Sequence, residues 1–138
     1  MKMKRYLFII GLMVFIYACS TQKQAVNVTK DDVAEGLKDS TEYDVETFDQ
    51  KFESWYQLNN KPAKYRSQDY YESWNHQYVT AWNAKCARGE KNWNFEPVVG
   101  YNSSEDYGFE VNHKLFYYFM YVENVLKIPI LPGGPGVY

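Results

Sequence analysis

The sequence predicts a mainly α-helical fold, a compact three-helix domain with a long aromatic-rich loop, reached through a disordered N-terminal tether. Three observations predict it. Beyond residue 43, large apolar residues recur every three or four positions in three separate stretches, the spacing of one buried helical face. Residues 20 to about 43 are rich in Ser, Thr, Gln, Lys and Asp, with no aromatic before Tyr43. Such a segment has too little apolar surface to offset the entropy of ordering. Aromatics make up 19% of the 138 residues, so the core must be built from rings whose hydroxyl and N–H groups each want a partner.

The chain opens with Lys2, Lys4 and Arg5, then runs apolar from Tyr6 to Ala18 with only Gly11 to interrupt it. This is the basic and apolar pattern of an export signal, and it is too short to span a bilayer core that needs about 20 helical residues. Ile16-Tyr17-Ala18-Cys19 resembles a bacterial lipobox, with Tyr17 in place of the small residue usual there. The resemblance implies cleavage before Cys19, a diacylglycerol thioether on its sulfur and an acyl group such as palmitate on its amine. One acyl chain holds a protein only marginally, at about 0.8 kcal/mol per buried CH₂, whereas two or more anchor it stably. The expected organisation is a lipoprotein signal peptide over 1–18, a lipidated acidic flexible tether over 19–43 and a globular helical domain with an irregular C-terminal tail over 44–138.

The net charge is −2, and loss of the three basic residues of the signal makes the remainder more acidic. No basic patch survives to attract nucleic acid or anionic headgroups. The acids crowd between Asp31 and Glu53, where Lys38 and Lys51 are the only bases, which pushes the domain away from an anionic membrane surface. Cys86 is the only other cysteine; a lipidated Cys19 cannot pair with it, so the domain holds itself together by packing.

The elements follow in order. Val33 and Leu37 support one helical turn in the tether, and Gly36 argues against more. Asp44 can cap a first helix, on which Val45, Phe48, Phe52, Trp55 and Tyr56 share a face. Pro62 ends it, because proline disfavours helix in the residue before it. Ser67 suits the N-cap of a second helix and Asp69 its first turn. Tyr71, Trp74, Tyr78, Trp82 and Cys86 then step by three or four, and Gly89 terminates the run. From Glu90 to Gly108, turn residues at Pro97, Gly100 and Asn102-Ser103-Ser104 give a loop pinned by Trp93, Phe95 and Tyr101, with an extended piece at Val98-Val99. A third helix is expected from about Glu110 to Leu126, and Phe116 to Val122 is apolar nearly all round, as in a central element. Strand is the alternative for that run; its length and i, i+4 pattern favour helix. The apolar Ile128 to Pro132 should lie along the helices, and the glycines after it should be mobile.

Trp-Asn occurs at 74–75, 82–83 and 93–94. Trp74, Asn75, Tyr78, Trp82 and Asn83 therefore form a candidate binding surface, aromatic rings flanked by amides of the kind that stack on sugars. The plainer reading is core tryptophan with edge asparagine. Cys86 and His76 fall on different helical faces, so Cys86 reads as a structural thiol. His76 and His113 belong to no metal-ligand spacing, and Asp39 to Asp49 lacks the glycine and alternation of a calcium loop. No cofactor is implied, and the Gly-Gly-Pro-Gly tail precedes no helix that would make it a phosphate loop. Glu72, beside the aromatic stripe, could have its pKa raised by burial, but no acid–base pair and no catalytic residue can be assigned. Asp39-Ser40-Thr41 resembles a short periplasmic O-glycosylation acceptor.

Phe52, Trp55, Lys61-Pro62, Tyr70-Tyr71-Glu72, Trp74-Asn75, Tyr78, Trp82-Asn83, Asp106-Tyr107-Gly108, Asn112, Lys114-Leu115 and Tyr118-Phe119 carry a wider resemblance. The stretch Phe48 to Val122 resembles a family of small Gram-negative lipoproteins known only as a domain of unknown function. It implies a lipoprotein and supplies no activity. The leading expectation is an envelope lipoprotein, anchored in the outer membrane facing the periplasm or displayed outward, acting as an accessory module for a partner protein. A glycan or peptidoglycan binder using the Trp/Tyr/Asn surface comes second and a small hydrolase third. An exposed aromatic patch would favour binding; a polar cleft around Glu72 or His113 would favour the enzyme.

Overall fold

The structure is a computed structural model and describes residues 24–31, 42–47 and 49–135. Two strands, β1 (Val26–Asp31) and β2 (Glu42–Thr47), precede three helices, α1 (Gln50–Asn59), α2 (Gln68–Arg88) and α3 (Gly108–Asn124), with a 3₁₀ turn at Pro62–Lys64. The three helices match the expectation; the sheet does not. Cys19, Val33, Leu37, Asp39-Ser40-Thr41 and Phe48 lie outside the described residues.

The tether expected through residue 43 gives way, over 26–31, to a strand paired antiparallel with β2. The helix expected from Asp44 gives way to β2 itself. Both corrections have one cause. Val26-Asn27-Val28-Thr29 and Tyr43-Asp44-Val45-Glu46-Thr47 alternate apolar or β-branched with polar residues, the period of a half-buried strand. Val28 faces Val45 across the ladder, and Val26 and Val45 are wholly buried. On the other side of β1, the Val28 N–H donates to Val99 O at 2.9 Å and the Val99 N–H to Val26 O at 3.1 Å. The extended piece at Val98-Val99 therefore runs parallel to β1 through an isolated bridge at Asn27 and Val99.

Asp49, not Asp44, caps α1: its carboxylate accepts from the Lys51 N–H at 2.9 Å and the Phe52 N–H at 3.2 Å. Ser67 caps α2, accepting from the Tyr70 N–H at 3.3 Å. Gly89 ends α2 in the left-handed region at φ 61°, its N–H donating to Cys86 O, a conformation that favours glycine. α3 begins after an Asx turn in which the Gly108 N–H donates to Asp106 Oδ1 at 2.9 Å. It buries Val111–His113, Leu115, Phe116 and Tyr118–Val122, which makes it the central helix.

Ring contacts set the helix directions. Tyr71 meets Phe109 and His113, and Tyr78 stacks on Phe119, so α2 and α3 run roughly parallel. Phe52 meets Tyr118 and Tyr121 while Tyr56 meets His113, so α1 runs against α3. After α3, the tail crosses back over the helices and buries Ile130.

Candidate functional site

The candidate sugar platform is not a surface. Asn75, Tyr78 and Trp82 are wholly buried, and Trp74 and Asn83 are half-buried. The tyrosine and tryptophan rings are the core face of α2. Trp82 packs against Trp93, Phe95 and Phe119, and its indole N–H donates to Glu96 O at 2.7 Å. The amides serve the fold too: Asn83 Oδ1 accepts from the Val98 N–H at 2.9 Å, fixing the extended piece beside β1.

Asn75 belongs to a polar network between α2 and α3. Its Nδ2 donates to Asn112 O at 2.8 Å. Asn112 in turn accepts from the Tyr101 hydroxyl at 3.1 Å and donates to Glu72 Oε1 at 3.2 Å. Gln68 Nε2 bridges Glu72 and Asp106. Glu72 is thus a hydrogen-bonded strut rather than a free base. Burial, followed by the nearby Glu72 charge, pushes the Tyr101 phenol up to about 12.

Cys86 accepts from the Trp93 indole N–H at 3.1 Å and donates to Phe95 O, which fits a structural thiol. His76 is exposed. His113, wholly buried, is ringed by Tyr56, Tyr65, Tyr71, Phe109 and Tyr117. The Tyr56 hydroxyl bonds its Nδ1 at 2.9 Å, and its Nε2 has no partner among the described residues. Burial pushes the imidazole down to about 4. Among the described residues, no three His, Cys, Asp or Glu side chains converge as a metal would require.

Among the described residues, two concavities bear on function. A groove of about 570 Å³ runs between the outer face of α2 and the tail. Ala81, Ala84, Ile130, Leu131 and Pro132 form its apolar walls, and Lys85 and Arg88, with His76, are the charged and titratable groups that line it. Both cations also reach Glu90, at 3.0 and 2.9 Å, and they hold its carboxyl below its usual range, Lys85 contributing most. The tail wall is fixed by Glu123. One of its oxygens accepts from the Ile130 and Leu131 N–H groups, both at 2.8 Å, and the other from the Tyr78 hydroxyl at 2.8 Å. The groove is therefore preformed.

The second concavity, about 280 Å³, is polar and lies between β2, α1 and α3. Lys114 sits in it, 3.6 Å from Asp44 and 3.4 Å from Glu53. Tyr56 forms part of the wall; burial raises its pKa, so it stays a neutral phenol. The cleft abuts the His113 cage through Tyr56.

Sequence reasoning missed the groove and the cage. The signal for the first was Ala81 and Ala84 on the back of α2, followed by Lys85 and Arg88. For the second it was a histidine within the apolar third helix, flanked by Phe109 and Tyr117.

The chain belongs to a family of unknown function, DUF6146, whose model matches residues 7–131. None of the curated proteins matches it, and no solved structure does. Among the described residues, no helix is long and apolar enough to cross a membrane.

Proposed function

We propose that this chain is a lipid-anchored envelope protein that captures a short segment of a partner protein in the groove between α2 and the tail. The observation that carries the capture is the groove itself: apolar walls, a wall preset by Glu123, and lining charges that are all basic. The fitting occupant is a peptide with one or two aliphatic side chains beside a carboxylate. The apolar part supplies affinity, and the carboxylate exchanges with Glu90 for Lys85 and Arg88 and sets the register. The anchor rests on the basic and apolar opening followed by Ile16-Tyr17-Ala18-Cys19, with the outer membrane facing the periplasm as the leading placement.

Two results test this reading. Cys19→Ala is expected to move the protein from the membrane to the soluble fraction; continued membrane retention contradicts the anchor. Full-length tagged protein purified from gently solubilised native membranes is expected to bring down one stoichiometric partner that Ala84→Glu loses without a change in Tm. A solitary protein, or a partner retained by Ala84→Glu, contradicts the groove.

A small hydrolase is the second reading, favoured by the polar cleft beside His113. Against it stand a neutral Tyr56 phenol, a Lys114 paired with two carboxylates, and a histidine sealed behind the wall. Glycan stacking on Trp82 and Tyr78 would require unpacking the core.

A further inference from the structure

His113 stands at the meeting point of four segments. Tyr56 reaches it from α1, Tyr65 from the connector after the 3₁₀ turn, Tyr71 from α2, and Phe109 and Tyr117 from its own helix. The ring is wholly buried, with a hydrogen bond at Nδ1 and no partner at Nε2 among the described residues. An added proton makes both ring nitrogens donors. The Tyr56 oxygen can accept one of them, and the other has no acceptor among the described residues. Attraction of the cation to ring faces offsets part of that penalty but supplies no acceptor.

The titratable groups facing the imidazole are the phenols of Tyr56, Tyr65, Tyr71 and Tyr117, and burial raises the pKa of Tyr56, Tyr71 and Tyr117. Glu53 and Glu110 act one layer further out, on the Tyr56 hydroxyl. Burial is the cause that acts on His113 itself.

The segments differ in what else holds them. α2 and α3 share the Asn75–Asn112–Glu72 network, the Tyr78–Phe119 stack and the Trp82 cluster. The hold of α1 on α3 runs through Phe52, Trp55, Tyr56 and the Glu53–Lys114 ion pair; the connector meets α3 through Tyr65 on His113 and Phe109, and α2 through the Arg66 N–H, which donates to the Tyr71 hydroxyl. We propose that His113 is an acid-sensitive latch, whose protonation frees α1 and the connector at 60–67 from α3 while α2 and α3 stay packed. Release opens the polar cleft between α1 and α3. This device is independent of what occupies the α2 groove.

The test is a pH titration of the full chain that follows the His113 ring nitrogens by NMR and the backbone amides by hydrogen exchange. The expected result is proton binding at His113 about 300-fold weaker than at an exposed imidazole. As the proton is taken up, exchange should accelerate in α1 and the connector but not across 71–82. His113→Phe should abolish the acid response. Three results overturn the proposal: titration of His113 at the exposed value, unchanged α1 exchange across its titration, or simultaneous opening of α1 and α2. The wild-type measurements decide the matter even if the variant fails to fold.

Discussion

Tyr78 and Tyr118 are both wholly buried tyrosines, and their hydroxyls have opposite fates. The Tyr78 hydroxyl donates to Glu123 at 2.8 Å, the carboxylate that also holds the Ile130 and Leu131 N–H groups. The Tyr118 hydroxyl has no partner among the described residues. A buried hydroxyl without a partner costs more than one that is absent. Tyr78→Phe is therefore expected to destabilise by about 1–3 kcal/mol, because a charged acceptor loses its donor. Tyr118→Phe should be neutral or stabilising by up to about 1 kcal/mol. Urea unfolding of both variants checks the contrast; equal losses would mean that the Tyr118 hydroxyl has an acceptor. The same accounting applies to His113. Its folded pKa lies below the ordinary value of 6.5, at about 4, so between those values the unfolded chain binds more protons than the folded one. Stability contributed by the neutral ring is thus complete above about pH 6.5 and is lost as pH falls toward 4.

At the scale of elements, the loop after α2 ties β1 to the helices, while β2 meets α3 directly through the Asp44–Lys114 pair. Gly100 turns the chain at φ 81°, directly against the Val28 carbonyl of β1. A methyl group there would meet immovable backbone in a conformation that side chains rarely adopt. Gly100→Ala should cost about 1–3 kcal/mol and raise amide exchange in β1 before it does so in α2; unchanged β1 exchange would contradict the arrangement. Helix α2 was legible almost to the residue, because Ser67, Gly89 and a long aromatic stripe agree with one another. Helix α3 was legible from its apolar run. The sheet was not, because β1 is short, polar in composition and stabilised by partners far along the chain at Val45 and Val99. Val45 also fitted a helical stripe with Phe52 and Trp55, and only its cross-strand partner Val28 decides between the two periods. At the sites, the spacing of Trp74, Tyr78 and Trp82 revealed a shared face but not that α3 and residues 93–95 cover it. The α2 groove escaped notice because its far wall is the tail, which is placed by the Glu123 carboxylate, the Ile128 N–H to Val122 O bond and the burial of Ile130.

For the whole molecule, the proposal is a lipid anchor at Cys19 carrying a domain whose described residues form an apolar groove between α2 and the tail. Under that proposal the acids between Asp31 and Glu53 would hold the domain off an anionic surface. The most direct test places a photocrosslinking amino acid at position 84, in the groove, and at exposed position 54 on α1, in the full-length protein in its native membrane. One discrete protein adduct is expected from position 84 and none from position 54. No adduct from 84, or the same adduct from both positions, would contradict the proposal.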